Sequence, residues 1–394
     1  MKKCSFVKFL RKWNGEKFEY NFIKNVKCGQ EFSELVNALT KYTPIENVDF
    51  ESIDSSTSVI IAIQTVHATD EYLDYLKNFI NSLNCRHIFF DISTYDEQEI
   101  NEKELDLLEN LTDKRCFFVS KNLISKRENH LQYEVLFHHH VESDRSIPRN
   151  NLAYKKLKQD HLNFWPDYKG FYYIGHSRFH KVKFLEFLYQ NNYLKDIKWS
   201  CTGKDFDTDV FRDFVPTEFD EEFNSFDILN QIPKNVDFDL YDKHYYTSRG
   251  GATNFISYLN SCFEIVAETR FYSTSSRNGS KETFSTWNNI SEKTIKPTML
   301  SHPFILVAKP NTISTLETYG LKYRFDFWNY DYDSIENHDD RMTAIQHFTN
   351  KVMSMGINEL KEFNNDYYNF AKDNYDIMLN DFYIKSIKDI WEKL

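Results

Sequence analysis
Ser291-Glu292-Lys293 opens the stretch "SEKTIKPTMLSHPFILV" and places a hydroxyl, a carboxylate and an amine on one turn. Ser291 is a good helix N-cap, and Ile290 and Ile295 have the spacing of a hydrophobic staple. Glu292 complements the positive end of the helix. The free N–H groups of such an end attract phosphate. Lys293 adds charge, and a carboxylate such as Glu292 can accept hydrogen bonds from both vicinal hydroxyls of a ribose. Together these groups suit a nucleoside diphosphate. The same residues also read as an ordinary capped helix start with a solvated Glu and Lys.

The flanking elements bear on that choice. "NSCFEIVAET" (260–269) reads as a strand, 270–289 as a polar loop, the helix starts at 292, and "PFILVA" (303–308) reads as a buried strand. Pro297 cannot donate to the carbonyl of Lys293 and should kink the helix there. A right-handed crossover puts the helix N-terminus at the carboxyl end of the first strand. Glu268 and Arg270 should therefore approach Ser291, Glu292 and Lys293 at one edge of a sheet.

Upstream, strand patterns at 57–66, 87–93, 115–120 and 132–141 alternate with helix patterns at 70–83 and 102–111. A polar, basic stretch at 142–170 reads as a linker. The pattern restarts with a strand at 170–177, a helix at 179–194 and a strand at 196–203, followed by an acidic insertion at 205–242. A short helix at 311–320 ends on Gly320, "LKYRFDF" reads as a strand, and the chain reads helical from about Asp340. Two α/β halves are the expectation, as length also suggests. Ligands in such folds bind at the carboxyl ends of the strands.

The bulk numbers narrow the classes. At 394 residues and 41% hydrophobic content the chain can build real cores. Its net charge of −11 argues mildly against a polyanion-wrapping protein, although a local basic patch could still bind one. The six scattered cysteines form no CxxC pair, so they read as free thiols of a reducing cytoplasm. No apolar run is long enough for a signal peptide or a membrane span.

"FEIVAET" followed by "WNNISEKTIKP" and "HPFILVAKP" resembles the nucleotide-binding lobe of fucosyltransferase-like glycosyltransferases. The span 262–345, with its "LETYGLKYRFDFWNYDYD" segment and Arg341, is most similar to a phage-type glycosyltransferase branch. The resemblance implies α/β architecture with two Rossmann-like β/α/β lobes facing a cleft, the GT-B arrangement. Residues 1–165 would form the acceptor-side lobe and 166–375 the donor lobe. A C-terminal helix, 376–394, would cross back to the N-terminal lobe. It implies a UDP- or GDP-sugar co-substrate and no required metal or cofactor. The match puts Glu292 on the ribose, Lys293 on the diphosphate and Glu268 near the donor. The strand-helix "FYYIGHSRFHKVKFLEFL" resembles the opening of the same lobe, where a basic residue faces the diphosphate; Arg178 and Lys181 are the candidates. Where the family reads Glu-Asn-Ser, this chain reads Glu268-Thr269-Arg270, so the sugar and base contacts differ.

An inverting transferase also needs a base for the acceptor hydroxyl. His67, Asp91 and the run His138 to His140 qualify by position, and a retaining enzyme would need none. The acid-x-acid pairs Asp205/Asp207, Asp207/Asp209, Asp237/Asp239 and Asp331/Asp333 have the pattern that holds the metal in single-lobed transferases, yet chance pairs are expected among 59 acidic residues. Basic clusters at Lys114, Arg115, Lys121, Lys126 and Arg127, and at Lys155, Lys156 and Lys158, read as solubilising surface or as a phosphate-tracking surface. The acceptor is accordingly a glycan or a hydroxylated base in DNA, the latter as in a phage enzyme acting on hydroxymethylated pyrimidines, with base flipping. The remaining alternative is a non-catalytic module binding a sugar nucleotide or nucleic acid.

Overall fold
A computed structural model describes residues 2–13, 18–24, 39, 43–63, 70–92, 102–120, 127–132, 165–174, 179–201, 255–268, 271–272, 274–277, 280–283, 290–378 and 385–394. The chain divides into two compact units, Met1–His139 with Leu379–Leu394, and His140–Met378. Both are α/β with parallel sheets. Among the described residues no helix is long and apolar enough to cross a membrane.

The first unit is built on β1 (Lys2–Trp13), β2 (Phe18–Ile23), β3 (Ile45–Asn47), β4 (Ser58–Ile63), β5 (His87–Asp91), β6 (Cys116–Ser120) and β7 (His130–Gln132). Their order is β2-β1-β4-β5-β6-β7, with β3 beside β1. All pairs are parallel except the β1–β2 hairpin. The "SVIIAI" of β4 is buried at every position, the pattern of a strand covered on both faces. Crossover helices α1 (Asp70–Ser82) and α2 (Glu102–Glu109) place Tyr72, Leu76, Ile80, Leu105 and Leu108 against Val59, Ile61, Ile88, Phe90 and Phe118.

The second unit holds β8 (Tyr168–Ile174), α3 (Phe179–Gln190), β9 (Ile197–Cys201), α4 (Phe255–Leu259) and β10 (Ser261–Ala267). The antiparallel hairpin β11 (Thr274–Arg277) and β12 (Ser280–Thr283) follows, then α5 (Glu292–Leu300), β13 (Phe304–Val307), α6 (Thr312–Glu317), α7 (His338–Ser354) and α8 (Ile357–Ala371). The sheet order is β13-β10-β8-β9, all parallel. The order reverses between β8 and β10, since α3 leads outward to β9 and α5 leads the other way to β13. That is a topological switch point, where the crevice of an open α/β sheet lies.

The last helix, α9 (Lys385–Lys393), belongs to the first unit. Lys2 Nζ donates to the carbonyls of Trp391 and Glu392, each at 2.7 Å, a basic group on a helix C-terminus. Ser58 Oγ donates to the Leu394 carbonyl at 2.9 Å.

Two sequence expectations are corrected. "LKYRFDF" is not a strand: it runs extended into a tight turn in which Phe325 and Trp328 form a lone bridge. The outer edge of β13 is occupied by side chains instead. Trp328 Nε1 and Tyr330 Oη donate to the Phe304 carbonyl at 3.0 and 2.7 Å, and the Leu306 N–H donates to Tyr332 Oη at 3.0 Å. These rings satisfy edge groups that a further strand would otherwise need. The 270–289 stretch is not a plain loop, because it contains the β11–β12 hairpin, whose register leaves two residues, Asn278 and Gly279, between Arg277 and Ser280. The strand expected at 132–141 has only its start, Gln132, among the described residues.

Gly170 on β8 faces Phe263 on β10 in register. A Cβ there would lie 2.6 Å from Phe263 Cε2 and 2.7 Å from Cζ. Gly170→Ala is therefore expected to destabilise the second unit by about 1–3 kcal/mol through overpacking. An unchanged urea midpoint would show that the ring swings aside freely.

Candidate functional site
The carboxyl end of β10 and the start of α5 form one hydrogen-bonded unit. Glu268, 1% exposed, is the residue just past β10. Its Oε1 accepts from the Ser291 N–H at 3.0 Å and from Thr294 Oγ1 at 2.5 Å, and its Oε2 accepts from Ser291 Oγ at 2.5 Å. Ser291 is the N-cap, with extended backbone (φ −111°, ψ 178°) and a side chain that accepts from the Lys293 N–H. Lys293 Nζ also donates to Ser291 Oγ, at 3.3 Å. Ile290 and Ile295 are buried, as the staple spacing requires.

This arrangement sharpens the role of Glu268. A capping box normally draws its carboxylate from the third helical position. Here that position is Thr294, and the carboxylate arrives from the neighbouring strand. Glu268 is thus committed to the helix start and positions Ser291 and Lys293 rather than facing a ligand. It also partly neutralises the positive helix end, so an anion bound there depends on the surrounding cations.

A histidine and several cations lie on this edge. His180 Nε2 is 2.9 Å from the Glu268 carbonyl oxygen, tying the first turn of α3 to the end of β10 across the switch point. Lys181 follows it and is buried, and its carbonyl accepts from Tyr172 Oη at 3.1 Å. Lys309, two residues beyond β13, is also buried. Arg341 in the first turn of α7 reaches the Ala308 and Phe271 carbonyls.

Sequence reasoning missed Thr294, His180 and the placement of Lys309 and Arg341, and it also passed over Glu264. This carboxylate sits mid-strand on β10, largely covered, and accepts from Tyr258 Oη at 2.6 Å. Burial pushes it up to about 8, against the opposing pull of that hydrogen bond and of Lys296 and Lys293. A carboxylate inside a strand reading "CFEIV" was the available signal.

The other expected site residues are distributed as follows. His67, His138, Arg178, Arg270 and the Glu292 side chain lie outside the described residues. Asp91 stands at the carboxyl end of β5 in the first unit, wholly buried. The Asp331/Asp333 pair is split. Asp333 is buried and accepts from the N–H groups of Ile313 and Ser314 at 3.0 and 2.9 Å, capping α6, whereas Asp331 is exposed. These two carboxylates do not converge on a metal. The remaining acid-x-acid pairs lie outside the described residues, among which no cluster of His, Cys, Asp and Glu suits a metal ion.

In the basic run of the first unit, Arg127 is paired with Glu109 at 2.8 Å and with Asp106, two acids of α2 that the linear run did not show. Cys4, Cys85, Cys116 and Cys262 are free and buried, and burial pushes Cys4, Cys116 and Cys262 up to about 12. No protein-family model, curated protein or solved structure matches this chain.

Proposed function
We propose that the chain is a glycosyltransferase of the two-lobed GT-B kind. In this reading the second unit binds a nucleoside-diphosphate sugar, UDP- or GDP-linked, and the first unit holds a hydroxyl acceptor, a glycan or a hydroxylated base. The observation that carries it is the anchored start of α5, fixed by Glu268 at the switch point between β8 and β10 and bordered by Lys293. Such a start suits a diphosphate through its fixed cations, since Glu268 and Ser291 already take the Ser291 and Lys293 N–H groups. These groups would neutralise the leaving diphosphate, the task a divalent ion performs in single-lobed transferases. The acceptor oxygen forms a bond to the anomeric carbon, the bond from that carbon to the diphosphate oxygen breaks, and the acceptor proton passes to a base. His67, Asp91 and His138 remain the candidates for that base on an inverting course.

A thermal-shift series with UDP-, GDP-, ADP-, CMP- and dTDP-sugars tests the donor, because a ligand that binds only the fold raises its melting temperature. Lys293→Ala and Glu292→Ala are each expected to weaken binding of the responding nucleotide about tenfold or more, the value of one lost hydrogen bond to a charged group. Lys293 is half-buried at a helix start, so the melting temperature of its variant should stay close to that of the unmodified protein. Unchanged affinity in both variants, measured calorimetrically, would remove the donor site from this helix.

A further inference from the structure
Arg341 is a buried cation, 1% exposed, with no carboxylate in contact among the described residues. Its partners are main-chain carbonyls. Nε donates to Ala308 at 3.1 Å, Nη1 to Ile335 at 2.7 Å and Glu336 at 3.0 Å, and Nη2 to Phe271 at 2.6 Å. These bonds use four of the five guanidinium N–H donors. The guanidinium carbon also lies 4.4 Å from the centroid of the Phe271 ring, which stacks on His180 at 5.5 Å and 15°.

The position is costly for a cation. Arg341 occupies the first turn of α7, where the helix dipole opposes positive charge. Burial lowers its pKa to about 10, with Glu336, Asp333 and Tyr272 pulling the other way, so it stays charged at neutral pH. A fold needing only a brace here could use uncharged groups, since a buried charge without a partner destabilises. Carbonyl dipoles solvate this one without cancelling its charge. Ala308 and Phe271 are the chain just past the carboxyl ends of β13 and β10, the edge on which Glu268 anchors α5.

We propose that Arg341 supplies a fixed positive charge to this edge, so that the site favours the diphosphate part of a nucleotide over its uncharged nucleoside part. The inference rests on the reading of the edge as a donor site. It makes Arg341 a positioning and electrostatic residue rather than one that touches the sugar.

The test compares Arg341→Met and Arg341→Lys with the unmodified protein, titrating inorganic pyrophosphate, UDP, GDP, uridine and guanosine by calorimetry. Arg341→Met should lose about tenfold in affinity for the diphosphates, the size of one elementary charge at roughly 10 Å in an effective dielectric near 20. Its nucleoside affinity should not change, and Arg341→Lys should recover most of the diphosphate loss. Equal losses for nucleoside and diphosphate, or no loss, would overturn the inference and leave the donor site standing. Failure of both variants to fold would also overturn it, assigning Arg341 a purely bracing role. If the unmodified protein binds none of the five probes, the donor-site reading falls and this inference with it.

Discussion

Glu268→Ala is expected to destabilise the second unit by about 3–5 kcal/mol, the range for breaking a buried charged network by removing one member. The carboxylate accepts three hydrogen bonds, two of them at 2.5 Å, from Ser291 and Thr294. Bonds to a charged group are worth about 1.5–3 kcal/mol each, and the orphaned donors would remain buried. Against that sum, removing the charge relieves the cost of keeping a carboxylate out of water, so the expected loss is below simple addition. Glu268→Gln keeps the shape and one acceptor, and should lose roughly half as much. Hydrogen exchange of peptides covering β10 and α5 locates the effect, since opening should become faster there and not in the first unit. The same variant should weaken nucleotide binding, because Ser291 then no longer holds Lys293. Exchange rates at α5 indistinguishable from those of the unmodified protein would rule out the anchoring role.

Glu264→Gln should change how stability depends on pH. The folded carboxyl titrates near 8, pushed up by burial, against an ordinary value of 4.5. At low pH the group is protonated in both folded and unfolded chains and its raised value has no effect. As pH rises from about 4.5 to about 8 the unfolded chain releases the proton while the fold retains it, so stability falls, and the loss is complete once the folded group ionises. The loss is on the order of a few kcal/mol, since each tenfold change in proton affinity is worth about 1.4 kcal/mol and water entry and relaxation reduce the sum. Glutamine carries no titration, so urea midpoints of the variant should be flatter over this window. It should be more stable than the unmodified protein near pH 8 and similar near pH 5. Parallel pH profiles for the two proteins would count against a protonated Glu264.

Much of the architecture was legible in the sequence because its signals are local. The continuous apolar run of β4, the one-sided periodicity of α1 and the Ser291 cap with its isoleucine staple each fit within a dozen residues. The crossover rule then brought Glu268 to Ser291 without coordinates. The misreading of one segment has a clear physical cause. "LKYRFDF" alternates like a strand, but a strand needs a partner edge, and Trp328, Tyr330 and Tyr332 had already satisfied that of β13 with side chains.

The sequence by itself determined that parallel α/β layers form and that a capped helix follows the strand ending at Glu268. Only the tertiary structure decided what the polar groups do there. Glu268 turned from a ligand-facing candidate into an anchor because Thr294, 26 positions away, donates to it. Asp333 turned from half of a metal pair into the cap of α6, 20 positions back. Arg341 became a cation on the site edge by reaching the Phe271 carbonyl 70 positions away. Apolar periodicity is fixed by neighbours along the chain. The partner of a buried polar group is fixed by which distant segments the fold brings within about 3 Å, the reach of a hydrogen bond.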